Sequence, residues 1–147
     1  MAQLNHIIIP AHDKQASAKF LGEILGVKPD AQWGPFIPVR TANGVTLDFV
    51  DSKDVRTQHY AFLVDDKEFD AGLARLKKDG VKIYADPHKE QPGKINHHDG
   101  GRGVYFEDPN GHLLEILTRP YGSAGTSAEN PHPLVAEKLH PGQPASS

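Results

Sequence analysis

Cysteine is absent from the 147 residues, which removes disulfides, thiolate metal ligands and a cysteine nucleophile from consideration. Any metal must be held by imidazole and carboxylate. No apolar run reaches the roughly 18 residues that a bilayer-spanning helix needs. Met1 to Pro10 lacks the basic start and long apolar stretch of a secretory signal, so a cytoplasmic location is expected. Positive charge is not in excess either: 16 Lys and Arg against 19 Asp and Glu leave a net charge of -3. Such a chain has no broad basic field to draw nucleic acid, and neither nucleic acid nor membrane is expected as a partner. A small molecule is. The length suits one domain with a real core and is too short for two independent ones. Nine histidines are many for this composition, and their positions must say what they do.

The chain reads twice through one pattern. Leu4 to Ile9 is a short buried strand, and Asp13 caps a helix whose apolar positions Ala16, Phe20, Ile24 and Leu25 recur until Gly26 stops it. Phe36 to Thr41 and Val45 to Asp51 are strands around an Asn43-Gly44 turn, with room for one more short strand. The second pass starts at His59: Tyr60 to Val64 is a strand, Asp65 or Asp66 a cap, and Phe69, Leu73 and Leu76 a helix face ending at Gly80. Lys82 to Ala85, Gly103 to Phe106 and His112 to Thr118 complete it, with Asp108-Pro109-Asn110-Gly111 as the last turn. His6 and His59 each stand eight residues before the lysine of an Asp-Lys pair, and each helix ends in Gly-Val. Modules of this size, about residues 4–54 and 57–119, must share a core and a site. The domain therefore spans 1–120. Residues 121–147 form a tail rich in Pro, Gly and Ser, mobile or lying on a neighbouring subunit, with a helical turn or two over Leu134 to Leu139.

His6 and His59 hold equivalent places in the two modules, so a pseudo-twofold packing turns both imidazoles towards one centre. Glu115 interrupts an apolar strand, and alternation sets it on the face opposite Leu114 and Ile116. A carboxylate on an inner face needs a charge partner, which a metal ion supplies. Two imidazoles and a carboxylate with open positions are the facial set of non-haem Fe(II) sites, though Mn, Ni, Co or Zn accept the same donors. His12, His88 and His132 are expected to be replaceable without loss of metal.

The frame Leu4-Asn5-His6, Gln58-His59-Tyr60 and Phe106-Glu107-Asp108-Pro109-Asn110-Gly111-His112-Leu113-Leu114-Glu115 resembles the vicinal-oxygen-chelate superfamily. That group includes glyoxalase I, extradiol dioxygenases, fosfomycin-resistance enzymes and bleomycin-binding proteins. The resemblance implies an α+β fold of two tandem βαβββ modules, a U-shaped mixed sheet around a divalent metal held by His6, His59 and Glu115, and a homodimer. Within the superfamily, His98, Val104-Tyr105, Asp108-Pro109 and Gly111 are similar to the extradiol signature, which implies that His98 and Tyr105 contact substrate. The function so implied is an Fe(II) extradiol-type dioxygenase acting on a small vicinal diol or oxygenated aromatic. The acid-base histidine of those enzymes has no counterpart from Asp13 to Gln58, leaving its role to His98 or another group. Val45-Thr46-Leu47-Asp48-Phe49 resembles instead the glyoxalase I strand with a fourth ligand. It implies an isomerase or lyase using Ni, Co or Zn, with Asp48 as ligand or base and Arg40 and Arg102 as candidate glutathione contacts. A third reading is a metal-free protein that sequesters a drug in a groove lined by Trp33, Phe36 and Tyr60.

Overall fold

Two aspartates set where the helices begin. In the computed structural model of the chain, which describes residues 1–137, Asp13 caps α1 (Lys14–Leu25), accepting from the backbone N–H groups of Gln15 and Ala16 at 3.0 and 3.2 Å. Asp65, rather than Asp66, caps α2 (Asp66–Lys78) in a reciprocal box with Glu68. These bonds satisfy donors that the first turn leaves without partners. Acidic Asp66 and Glu68 open α2 and basic Arg75, Lys77 and Lys78 close it, the order the helix dipole favours. α1 stops at Gly26, whose φ of 71° is left-handed. The tail carries a short helix, α3 (Pro133–Glu137), where helical turns were expected over Leu134 to Leu139. Lys138, Leu139 and His140 lie outside the described residues.

The strands β1 (His6–Ala11), β2 (Ile37–Arg40) and β3 (Thr46–Asp51) form one sheet in the order β1-β3-β2, with β1 parallel to β3. A second sheet contains β4 (His59–Leu63), β5 (Ile83–Tyr84), β6 (Gly103–Glu107) and β7 (Leu113–Leu117) in the order β4-β7-β6-β5, with β4 parallel to β7. The fold is thus α+β with two βαβββ-like modules of mixed sheet. The two modules form separate sheets within the chain. The first module has the three strands read from its residues, and the further short strand for which the sequence left room does not form. Proline accounts for the missing strand. After the helices run Gly26-Val27-Lys28-Pro29 and Gly80-Val81-Lys82-Ile83; Pro29 occupies the place of Ile83, which begins β5, and has no N–H for a ladder. Only a Trp33–Phe36 bridge remains in that stretch.

One face of each sheet is covered by the helices. Ile9, Leu47, Phe49, Val104, Phe106, Leu114 and Ile116 pack with Leu21 and Ile24 of α1 and Phe69 and Leu76 of α2, all at 3% exposure or less. The helices touch closely at Gly72, where a Cβ would come within 3.0 Å of the Ile24 carbonyl, and Arg75 bridges to Glu23 at 2.7 Å.

The turn Asp108 to His112 bolts the modules together. Asp108 Oδ1 accepts from the backbone N–H groups of Asn110 and His112, at 2.9 Å each. Asn110 accepts from the His12 N–H and donates to Ser17 Oγ, both at 2.8 Å. His112 is fully buried; its Nε2 donates to the Pro10 carbonyl and its Nδ1 accepts from the Gln58 N–H, at 2.9 Å each. The opposite faces of both sheets are left to carry chemistry.

Candidate active site

On the second sheet, strand register assembles a row. Ala61 of β4 is opposite Glu115 of β7, which is opposite Tyr105 of β6. Small Ala61 leaves the space beside Glu115 to the side chain two residues earlier on β4, His59. Its Nδ1 donates to the Leu113 carbonyl at 2.9 Å, which leaves the Nε2 lone pair facing Glu115 Oε1 at 3.3 Å. Glu115 is 1% exposed. A neutral imidazole nitrogen and a carboxylate oxygen are both acceptors, so this approach calls for a proton or a cation between them. At that separation the two groups could both donate to one ion. A carbonyl fixing the other ring nitrogen is the usual support of a ligand histidine. The donor set fits a divalent ion.

Two phenols attend the carboxylate. Tyr105 stacks on His59 with ring centroids 5.9 Å apart, and its hydroxyl lies 2.8 Å from that of Tyr121. Tyr121 donates to Glu115 Oε1 at 2.5 Å, so Tyr105 donates to Tyr121. Burial holds Glu115 above the usual carboxylate range, opposed by the Tyr121 hydrogen bond and by His59. Burial also pushes Tyr105 up to about 12 and raises Tyr121. Both phenols therefore stay protonated at neutral pH and act as donors, not bases.

The first sheet carries the matching half. His6 is exposed, with Nδ1 donating to Asn5 Oδ1 at 2.7 Å and Nε2 left available. Its register partner is Thr46, and Ile8 pairs with Asp48; on the second sheet His59 pairs with Leu113 and Ala61 with Glu115. Asp48, buried, is thus the positional counterpart of Glu115. It shares a depression with His6, Trp33 and Arg40. Arg40 pairs with Asp30 at 3.4 Å. Arg102 is tied to Asp66 and Asp70 and lies over the Phe69 ring. Among the described residues no three His, Asp or Glu side chains converge as a metal group. His6 with Asp48 and His59 with Glu115 are two corresponding histidine–carboxylate pairs on separate sheets.

The pattern of the Glyoxalase/Bleomycin resistance protein/Dioxygenase superfamily matches residues 3–116. The chain belongs to this superfamily. Among solved structures it is similar to two superfamily enzymes. Oxidase ChaP-H2 is 59% identical with a TM-score of 0.82, the match covering 84% of this chain and 98% of that one. Oxidase ChaP-H1 is 52% identical with a TM-score of 0.81, covering 84% and 100%. Glutathione transferase FosA of Serratia marcescens is a more distant relative, 29% identical over 123 residues, which are 79% of this chain and 80% of that protein.

The superfamily match ends at residue 116, before the segment whose Tyr121 reaches Glu115. His98 does not touch Glu115 directly. Its ring meets that of His132 at 4.9 Å, and His132 lies 3.9 Å from the ring of Tyr121. Burial, with His132 alongside, holds His98 below the ordinary histidine range. His132, set aside as replaceable from sequence, is 5% exposed. Tyr121 was not singled out at all. Both sit in a stretch of Gly, Ser, Ala and Pro, where isolated aromatic rings are the exception, and that exception was the available signal. No helix among the described residues is long and apolar enough to cross a membrane.

Proposed function

We propose that the protein is a divalent-metal, oxygen-dependent oxidase of extradiol type, acting on a small vicinal diol or related oxygenated aromatic. His59 and Glu115 of one copy and His6 of a second copy would be the ligands. The observation that carries this is the His59–Glu115 pair: a tautomer-fixed imidazole aimed at a buried carboxylate 3.3 Å away. The homodimer is supported by the arrangement of edges. β1 and β4 are both edge strands, and they expose Leu4 next to β1, Ile8 on β1 and Leu63 on β4. Joining the β1 edge of one copy to the β4 edge of another would seal these residues and bring the two histidine–carboxylate pairs together. Fe(II) is favoured, with Mn, Ni, Co or Zn able to use the same donors.

A bound divalent ion supplies Lewis acidity and, as iron, redox access to dioxygen. The chain's own groups then do the rest. Tyr121 gives its one O–H to Glu115 and Tyr105 gives its own to Tyr121, so the two phenols orient the carboxylate. Tyr105 would turn its hydroxyl from Tyr121 to a substrate oxygen on which negative charge builds. Tyr105 also holds the His59 plane by stacking. His98, neutral at physiological pH, is available to accept a substrate proton.

The oxidase names of relatives at 59% and 52% identity favour oxidation over isomerisation. A second reading has one specific support, the positional equivalence of Asp48 and Glu115: a glyoxalase-type isomerase or lyase with Asp48 as ligand or base. A groove that merely sequestered a drug would not require a buried carboxylate set against an imidazole.

The test is anaerobic reconstitution with Fe(II), then oxygen uptake on a panel of catechols and larger dihydroxyaromatics, with a methylglyoxal-glutathione hemithioacetal in parallel. Oxygen consumption that His59→Ala and Glu115→Ala abolish is expected. Co-expressed His6→Ala and Glu115→Ala chains should recover part of it through mixed dimers. Absent oxygen uptake, with hemithioacetal turnover lost in Asp48→Ala, would reverse the assignment.

A further inference from the structure

The polar groups around Tyr121 are unusually well fixed for a segment of such composition. Its ring is partly exposed, yet its hydroxyl reaches the buried Glu115. Two contacts hold it there. The neighbouring Gly122 N–H donates to Asp99 Oδ2 at 2.9 Å, and the His132 ring packs on its own. Asp99 is fully buried and sits at φ 59°. Its N–H donates to the Asn130 carbonyl at 2.6 Å. Its other carboxylate oxygen, Oδ1, has no hydrogen-bond partner among the described residues. A buried carboxylate with an unmet acceptor and a left-handed backbone is costly, and the contacts Asp99 does make both go to the segment that carries Tyr121.

We propose that Tyr121 is a positioning residue for the Glu115 carboxylate, clamped by Asp99 and His132, so that the segment from Pro120 to Asn130 forms part of the metal site's outer wall. The inference rests on the metal reading above. The physical reason is rotational. Strand packing fixes the Glu115 backbone but not its terminal torsion, which is broad for a carboxylate. Of the neighbouring groups, His59 stacks with Tyr105 and faces one side, while the Tyr121 O–H takes hold of Oε1 and sets the carboxylate plane. Partners of this kind, hydrogen-bonded to a ligand rather than to the metal, typically govern affinity by about 10- to 100-fold. Asp99 acts one step further out, through the backbone at Gly122.

The experiment measures Co(II) affinity of the full chain by chelator competition, together with the visible d–d spectrum, which reports the ligand field. Tyr121→Phe keeps the ring on His132 and removes only the hydroxyl. It should weaken Co(II) binding about 10- to 100-fold and shift the spectrum, with the urea midpoint nearly unchanged. Asp99→Ala should weaken binding in the same direction, and the double variant should be no worse than Tyr121→Phe, because the two act in series. Wild-type affinity and spectrum in Tyr121→Phe would overturn the inference and leave the metal site standing. If the wild-type protein takes up no Co(II), or takes it up equally in His59→Ala, the metal reading fails and this inference with it. Should Tyr121→Phe not fold, Asp99→Ala decides: weakened binding in a native-like chain supports the clamp, and unchanged binding refutes it.

Discussion

His112→Ala tests what joins the two modules. The imidazole lies fully buried between them, donating from Nε2 to the Pro10 carbonyl of β1 and accepting at Nδ1 from the Gln58 N–H just before β4. Truncation strands one carbonyl and one amide, each worth about 1–3 kcal/mol when left buried and unpaired. Both backbone groups are only partly buried, so water reaches them after truncation and the lower half of that range applies. The ring also meets Tyr60 edge-on, with centroids 5.6 Å apart, a contact worth about 0.5–1.5 kcal/mol. A loss of about 2.5–5.5 kcal/mol is expected, a substantial part of the ~5–15 kcal/mol that holds a typical domain folded. Urea unfolding followed by circular dichroism should show the midpoint falling by about 1–3 M with little change in slope. A shift below about 0.3 M would mean that the bolt carries no load and that the helix contact alone joins the modules.

Three further outcomes are expected. Gly22→Ala should destabilise by about 1–3 kcal/mol, although alanine normally favours a helix interior, because the new Cβ would stand 2.4 Å from the Val27 carbonyl; a raised melting temperature would contradict the packing described for α1. Tyr105→Phe should retain full metal content by elemental analysis while turnover falls by about 10²-fold, and equal loss of both would make the residue structural. Burial holds His98 and His132 below the ordinary histidine value, so the unfolded chain binds more protons between the two values. Their contribution to stability is complete above about pH 6.5 and is lost as pH falls through the folded-state values. The stability difference between wild type and His132→Gln should therefore narrow from pH 8 to pH 5, and a widening gap would reverse the sign.

What could be read from the sequence was what local chemistry determines. Caps at Asp13 and at Asp65 or Asp66, glycine stops and period-two alternation placed both helices and nearly every strand, and alternation alone put Glu115 on the chemical face. β1 was placed two residues early, from Leu4 instead of His6, and was ended before Pro10. As an edge strand it runs on to Ala11, since a proline there forfeits no ladder bond that the sheet needs. The lost strand of the first module depended on Pro29 standing where Ile83 stands, a comparison that makes sense only once the modules are superposed. The pairing of His59 with Glu115 and Tyr105 followed from register. In the proposed dimer, whether His6 joins them would depend on how sheets from two copies meet, which no local pattern encodes. Tyr121 and Asp99 escaped notice because they lie in irregular turns on either side of β6 and β7, where no periodicity reports which way a side chain points.

The turn from Asp108 to His112 looks, as a string of letters, like part of a catalytic signature, yet its polar atoms go to Ser17, Pro10, His12 and Gln58 on the helix side of the molecule. It behaves as a coupling whose two mating parts are written far apart in the chain. A hybrid that kept this chain's residues 1–58 and took its second module from a superfamily relative should assemble wherever the turn and its docking partners are preserved, irrespective of what either parent does to its substrate. Under the proposed function, the letters that would sort such chains by reaction are instead those at the rows of Asp48, Ala61 and Tyr105.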